Sequence, residues 1–419
     1  MFQGNAIVGQ SGGPTSVINS SLCGVVQSCF ELGQKDPNSK IDKVYGMQYG
    51  IEGFMQDKLI DFGAIDSAVV EGLKTTPGSA LGSCRHKVQE ADFPIILEQL
   101  KKYNIRYYFL AGGNDTMDTI RRVEEYCKKQ GYDLRGVGVP KTVDNDLFAT
   151  DHTPGFGSAA RYVAMSVKQA GVLARDMKKV DQYVIFQTIG RDAGWLPAAA
   201  ACAKTDPEDA PHIILVPEIP FEFDKFVAKA QETLDKYGFV SVVCGEGIRD
   251  KNGVVVSSLD ADGVKIDQEA VLDKFGNQEL GAMAGTSVAI ALHRMLGKHL
   301  KRADGKDAPC RGEFQVTESL PMCGADRTTE LDIQEAWNCG RRAVELALEG
   351  KSGVMVTMNR VSNDPYKIEY ETAPLSAVAV EAKPMPLEYV DAENLYVTKE
   401  CVEYLKPLVG ELPKYVKLF

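Results

Sequence analysis

Apolar, β-rich runs recur along the chain, each followed by a glycine-bearing turn and then a helical pattern. They are Asn5–Gly9, Lys43–Tyr49, Arg106–Leu110, Gly136–Val139, Gln182–Thr188, His212–Pro217, Val240–Cys244 and Gly353–Arg360. The runs are continuous rather than alternating, the mark of strands buried on both faces and so of mostly parallel sheets. Between them lie helical patterns such as Met117–Lys129, where Ile120, Val123, Tyr126 and Cys127 share one face. Strands alternating with helices imply a doubly wound α/β architecture.

At 419 residues the chain is too long for one core, so two domains are expected. A crossing near residue 145 is expected. The prolines at 374, 384 and 386 mark the start of a C-terminal extension. Leu300–Ala308 is the clearest polar insert. A net charge of −11 argues against a nucleic-acid or anionic-membrane surface, so an anionic substrate needs its own Lys/Arg cluster. No apolar run approaches the ~18 residues that span a bilayer. The 10 cysteines form no CxxC pair, and with no signal peptide they read as free thiols of a cytosolic protein. The 5 histidines lack zinc-ligand spacing.

Open α/β sheets bind ligands at the C-terminal ends of their strands. One such end carries Pro140-Lys141-Thr142-Val143-Asp144-Asn145-Asp146. There Asp144 suits a general base, Asp146 is a second carboxylate for orientation or metal, Thr142 offers a hydroxyl, and Lys141 can neutralise phosphate. The simpler reading is a polar turn in which the two acids cap the next segment.

Two glycine-bearing strand–helix junctions suit anions. Gly9–Asn19 contains Gly12-Gly13-Pro14 and fits neither GxGxxG nor GxxxxGK[ST]. Its alternative is a tight turn capped by Ser11 or Thr15. Ala111–Thr116 contains Gly112-Gly113-Asn114-Asp115. Asn114 can offer oxygen to a metal or metal-bound water. Asp115 is out of place beside phosphate, and all three polar residues also suit an N-cap. Arg85 in Leu81–Arg85 and Arg191 in Thr188–Arg191 suit phosphate by planar donation, and Glu246 in Gly245–Gly247 suits sugar hydroxyls. Each of these alone is more often a loop charge.

In order, GGP, LGSxR, GGxDT, PKTVDND, GR before a small-residue helix, and GEG resemble the phosphofructokinase family over residues 5–250. Asp273-Lys274-Phe275-Gly276 through Gly285, and Gly350–Val356, extend the likeness to about residue 360. The resemblance implies two doubly wound lobes with a C-terminal extension. A donor lobe is expected over 1–145 plus about 270–310, a sugar-phosphate lobe over about 146–269 plus 311–360, and the extension over 361–419. It implies magnesium-assisted phosphoryl transfer to the 1-hydroxyl of fructose 6-phosphate, by a homo-oligomer, dimer or tetramer.

The resemblance casts Asp144 as the base, with Thr142 and Val143 beside it at the sugar and Gly13 on the donor phosphates. Ile189, Gly190 and Arg191 fall on the sugar-phosphate segment and Glu246 on a sugar-binding glutamate. Asn114 stands where the metal-linked aspartate usually stands, so Asp146 carries more of the magnesium. ATP-using relatives tend to have glycine at the positions of Asp115 and Lys141; relatives with Asp and Lys there use inorganic diphosphate. A nucleotide α-phosphate ~4 Å from Asp115 is repelled by about 1 kcal/mol in water and roughly 4 at an effective dielectric of 20. Lys141 and Arg85 stabilise the transferring group. The alternatives are an ATP-dependent enzyme of the same family and a non-catalytic subunit that binds sugar phosphates. Two departures stand out. Leu320-Pro321-Met322-Cys323 replaces an LQR-like segment, and Gln182 replaces an arginine. Arg191, Arg311 or Lys204 is then expected to take the 6-phosphate.

Overall fold

The computed structural model describes residues 2–33, 35, 38–267, 271–272, 279–302, 305, 308–379 and 382–418. The stretch Asp273–Gly276 and part of the polar insert Leu300–Ala308 lie outside the described residues. In chain order the strands of three or more residues are β1 (Phe2–Gln10), β2 (Ser39–Met47), β3 (Leu59–Asp61), β4 (Ile105–Gly112), β5 (Arg135–Pro140), β6 (Tyr183–Thr188), β7 (Ile213–Leu215), β8 (Val240–Gly245), β9 (Gly312–Val316), β10 (Val354–Asn363) and β11 (Tyr366–Pro374). Every apolar run of the sequence overlaps one of them, at β1, β2, β4, β5, β6, β7, β8 and β10.

The chain divides into two units. The first comprises Met1–Ser158 and Met322–Lys383. Its sheet has the order β11-β10-β5-β4-β1-β2-β3, parallel from β10 to β2 and antiparallel at both edges. Central β1, β4 and β5 are buried on both faces, which explains their continuous apolar runs. Helices Ile18–Leu32 and Glu330–Leu348 pack together on one face; a Cβ on Gly24 would lie 2.2 Å from the Trp337 carbonyl oxygen. Helices Phe93–Lys102 and Asn114–Lys129 cover the other.

The second unit comprises Ala159–Pro321 and Pro384–Phe419. Its four-stranded sheet, β7-β8-β6-β9, is wholly parallel. Helices Phe223–Tyr237 and Val288–His299 fill its core through Phe226, Leu234, Leu292 and Met295. Gln187 on β6 fixes the second of them: its Oε1 accepts from Ser287 Oγ and the Ala289 N–H at 2.8 and 2.9 Å.

These units differ from the expected lobes. The first crossing falls at residues 158/159, inside helix Phe156–Met177, not near 145. The described part of 270–310 belongs to the second unit, because the apolar face of Val288–His299 packs on β6 and β9. Residues 330–360 belong to the first, where β10 extends the sheet beside β5. The residues expected to form the extension divide between the two units: β11 completes the first sheet, and helix Lys399–Val409 packs on Trp195–Ala203 of the second unit.

Candidate active site

In the first unit the polar loops gather at the C-terminal ends of β1, β4 and β5. Gly112 on β4 stands opposite Pro140 on β5, and the Lys141 N–H donates to the Gly112 carbonyl at 3.1 Å. This register sets Gly113-Asn114 beside the Lys141–Asp146 loop. Gln10, at the end of β1, donates to Asn19 Oδ1 at 2.8 Å and accepts the Leu81 N–H at 3.0 Å. Ser83 Oγ donates to the Gly12 carbonyl at 2.6 Å, and the Gly12 N–H donates to the Cys84 carbonyl at 3.3 Å. Those bonds carry exposed Arg85 to the same strand ends. Thr15 Oγ1 accepts from the Val17 N–H at 3.3 Å.

Lys141 is the centre of the group. It is buried, and its ammonium donates to the Gly13 carbonyl at 2.7 Å. A Cβ on Gly12, whose φ is +77°, would lie 3.3 Å from that nitrogen, so glycine meets both the backbone angle and the close approach. Burial drives the lysine's pKa down to about 8 against the pull of Asp144 and Asp146, and Arg85 pushes the same way as burial. Four charges thus converge. Thr142 Oγ1 accepts from the Asp144 N–H at 3.1 Å. Burial holds the Asp146 carboxyl above the usual range, while Thr142, Lys141 and Lys383 pull it down. Val143 is buried.

Asn114 and Asp115 open helix Asn114–Lys129, whose N-cap is Gly113; neither is itself the cap. Asp115 is 89% exposed, with Lys87 at 3.9 Å. Its repulsion of a nearby phosphate is therefore the water-like value of about 1 kcal/mol, and the larger figure expected at low dielectric does not hold.

In the second unit the ends of β6 and β8 bring Ile189, Gly190, Arg191 and Glu246 together. Gly190, at φ +119°, donates its N–H to Glu246 Oε1 at 3.3 Å, and the Glu246 N–H donates to the Thr188 carbonyl at 3.1 Å. Burial, then the Glu318 carboxylate, raises Glu246 to about 7. A Cβ on Gly281 would lie 2.7 Å from Glu246 and 2.9 Å from Glu318. Arg191 faces Glu279 at 3.9 Å.

Of the cations expected to take a 6-phosphate, only Arg191 is at this strand end. Arg311 lies at the other end of β6, where its N–H bonds Gln182 and its guanidinium meets Asp181 at 3.7 Å. Lys204 is spent on the Asp209 and Pro211 carbonyls at 2.8 and 3.1 Å. Gln182 is buried there as a structural tie, accepting from Arg302 and Arg311. Met322 is a spacer in the first unit: a Cβ on Gly13 would lie 2.5 Å from its Cε.

Sequence reasoning missed Gln10, Ser83, Glu318 and Lys383. Gln10 and Ser83 stood inside quoted motifs, but only contacts between distant loops give them a role. Nothing local marks Glu318 or Lys383.

Carboxylates, a buried lysine and glycine turns at parallel strand ends make this a phosphate-handling α/β protein. The chain belongs to the phosphofructokinase family, whose profile (Phosphofructokinase) matches residues 5–304. It is 34% identical over 433 residues to a pyrophosphate–fructose 6-phosphate 1-phosphotransferase of Halomonas elongata, covering 100% of this chain and 97% of that one. It is 35% identical over 434 residues to one of Xanthomonas campestris, covering 100% and 97%. A solved pyrophosphate-dependent phosphofructokinase from Marinobacter aquaeolei superposes with a TM-score of 0.83 at 32% identity, over 99% of this chain and 94% of that one. No helix of the described residues is long and apolar enough to cross a membrane.

Proposed function

We propose that the chain transfers a phosphoryl group, reversibly, from inorganic diphosphate to the 1-hydroxyl of fructose 6-phosphate, yielding fructose 1,6-bisphosphate and phosphate, a glycolytic step. Lys141 carries the reading of the donor. Its buried ammonium lies against the Gly12-Gly13 turn and supplies fixed positive charge where relatives that use ATP tend to have glycine. The relatives in H. elongata and X. campestris, similar over their whole lengths, carry the name of this activity.

Asp144 takes the proton of the 1-hydroxyl as that oxygen attacks the terminal phosphorus. Thr142 and the backbone of Val143 border the sugar, and Gly13 borders the diphosphate. Lys141 and Arg85 meet the charge that spreads over the transferred oxygens. The donor set at Asn114 and Asp146 fits magnesium: one amide oxygen and one buried carboxylate are the oxygen ligands this ion takes alongside phosphates and water. Among the described residues no cluster of three His, Cys, Asp or Glu forms a complete cage. When bound, magnesium offsets charge on the phosphates. Ile189, Gly190, Arg191 and Glu246 form the sugar-phosphate segment, with Glu246 accepting from sugar hydroxyls. We place the enzyme in the cytoplasm as a homo-oligomer, a dimer or tetramer.

Turnover of fructose 6-phosphate with each donor tests this. Diphosphate is expected to support it and ATP to support little. ATP turnover well above that with diphosphate would overturn the reading of the donor. Binding of fructose phosphates with no turnover by either donor would overturn the enzyme itself.

A further inference from the structure

Within the loop that carries Asp144 and Asp146, the Asp144 N–H donates to Thr142 Oγ1 at 3.1 Å and Thr150 Oγ1 donates to the His152 carbonyl at 2.9 Å. After the Thr142–Gly155 bridge the loop joins no strand ladder. Two of its non-glycine residues, Asn145 and Ala149, have φ of +56° and +62°, a conformation that L-residues adopt at a cost of roughly 1–2 kcal/mol each. Asn145 is fully buried, and neither polar atom of its side chain has a hydrogen-bond partner. A loop with such internal costs persists only when its surroundings over-determine it.

Part of that restraint comes from β10. The Asp151 N–H donates to the Met358 carbonyl at 2.8 Å, and Thr150 Oγ1 accepts from the Met358 N–H at 3.0 Å. Both bonds hold the far end of the loop. One residue reaches both ends. The Lys383 N–H donates to the Asp146 carbonyl at 2.7 Å. Its ammonium donates to the Thr150 and Asp151 carbonyls at 2.9 and 2.8 Å.

We propose that Lys383 is a positioning residue for catalysis, which closes the 146–151 loop like a clasp and thereby fixes the directions of Asp144 and Asp146. The backbone bond acts directly on one of the two acids. The ammonium spans the gap to the anchored end, so the acids inherit the rigidity of β10. Two bonds from a cation to carbonyl oxygens are the stronger, charge-assisted kind. A loop released from them lets Asp144 wander, and a displacement of about 1 Å at a reacting group costs on the order of 100-fold in rate.

The kinetic part of this inference rests on the phosphotransferase reading; the structural part does not. The test compares the full chain with Lys383→Met, which keeps the backbone N–H and the side-chain stem but removes the ammonium. Amide hydrogen exchange is followed by mass spectrometry in peptides over 144–151 and, as a control, over β4. Steady-state kinetics use whichever donor the wild type turns over.

The expected result is exchange faster by tenfold or more in 144–151 and unchanged in β4. With it, kcat per folded molecule falls ten- to 100-fold while KM for fructose 6-phosphate moves by less than threefold. Unchanged exchange in the loop overturns the clasp. Faster exchange with normal kcat overturns its role in positioning. If Lys383→Met exchanges faster everywhere, Lys383→Leu, which also lacks a side-chain donor, is judged by the same two criteria. If the wild type turns over no donor, the phosphotransferase reading falls, and loop exchange alone decides whether Lys383 holds the acids.

Discussion

Neutralising His152 is expected to remove a pH-dependent part of the stability of the first unit. His152 is 1% exposed and lies between two carboxylates, with Nδ1 at 2.8 Å from Asp151 and Nε2 at 2.8 Å from Glu335. Tyr366 donates to Glu335, and Arg360 meets Asp151 at 3.2 Å. The Asp151 carbonyl accepts from the Lys383 ammonium at 2.8 Å. Burial alone lowers the pKa of the imidazole, but Glu335 and Asp151 outweigh it and raise it from 6.5 to about 9.

The folded state therefore binds a proton that the unfolded chain releases near pH 6.5. The stabilisation is full below pH 6.5 and is lost as pH rises through 9. Its full size is about 3 kcal/mol, of which about 2 disappear between pH 7 and 9.5. In that window Lys141 and Lys383, both lowered by burial to about 8, also titrate, so the His152 term is read from the difference between wild type and variant. For a domain of this size, 2 kcal/mol is roughly 4–8 °C of Tm.

Thermal unfolding is to be measured from pH 7 to 9.5 at one scan rate for the wild type and for His152→Gln. The variant is expected to unfold at lower temperature at pH 7, and the two Tm curves to converge by 4–8 °C as pH rises. Parallel curves would refute the argument, because they would mean that the imidazole carries no extra proton in the fold.

Asp144→Asn is expected to lower kcat by two to four powers of ten while fructose 6-phosphate still binds, measured by steady-state kinetics and calorimetry; a near-normal rate removes Asp144 as the base. Asp115→Gly alone is expected to improve ATP binding by less than tenfold, because the carboxylate is exposed. Pairing it with Lys141→Gly, which opens the Gly12-Gly13 turn, is expected to admit ATP; a double variant that still fails to bind it by calorimetry refutes exclusion by these two residues.

The parallel core was legible because its strands are buried on both faces and leave unbroken apolar runs. Strands that lie at edges were not. Gly312–Val316 is half open to solvent and reads GEFQV, and Tyr366–Pro374 alternates as the outer arm of a hairpin. The site was legible where a strand end and its loop are one segment, as at Pro140–Asp146. It was not legible where chemistry depends on residues far apart in sequence. The pairing of Asp146 with Lys383 and of Glu246 with Glu318 are of that kind. An ungapped reading also set Gln182 at the place of a phosphate-binding arginine and left Arg311 to compensate, although both sit at the opposite end of β6 from Ile189.

The first unit is assembled from two stretches of chain separated by the second. During synthesis, β5 emerges as an open parallel edge, and helix Ile18–Leu32 has no partner for the face that Gly24 keeps clear. The strand waits about 200 residues for β10, and the helix about 300 for Glu330–Leu348. At 5–20 residues per second these delays are on the order of 10–60 s. For that time the nascent chain presents an unpaired strand of Val137 and Val139 and an uncovered apolar helix face. A chaperone that shields such surfaces is expected to matter more for the yield of this protein than its finished stability does.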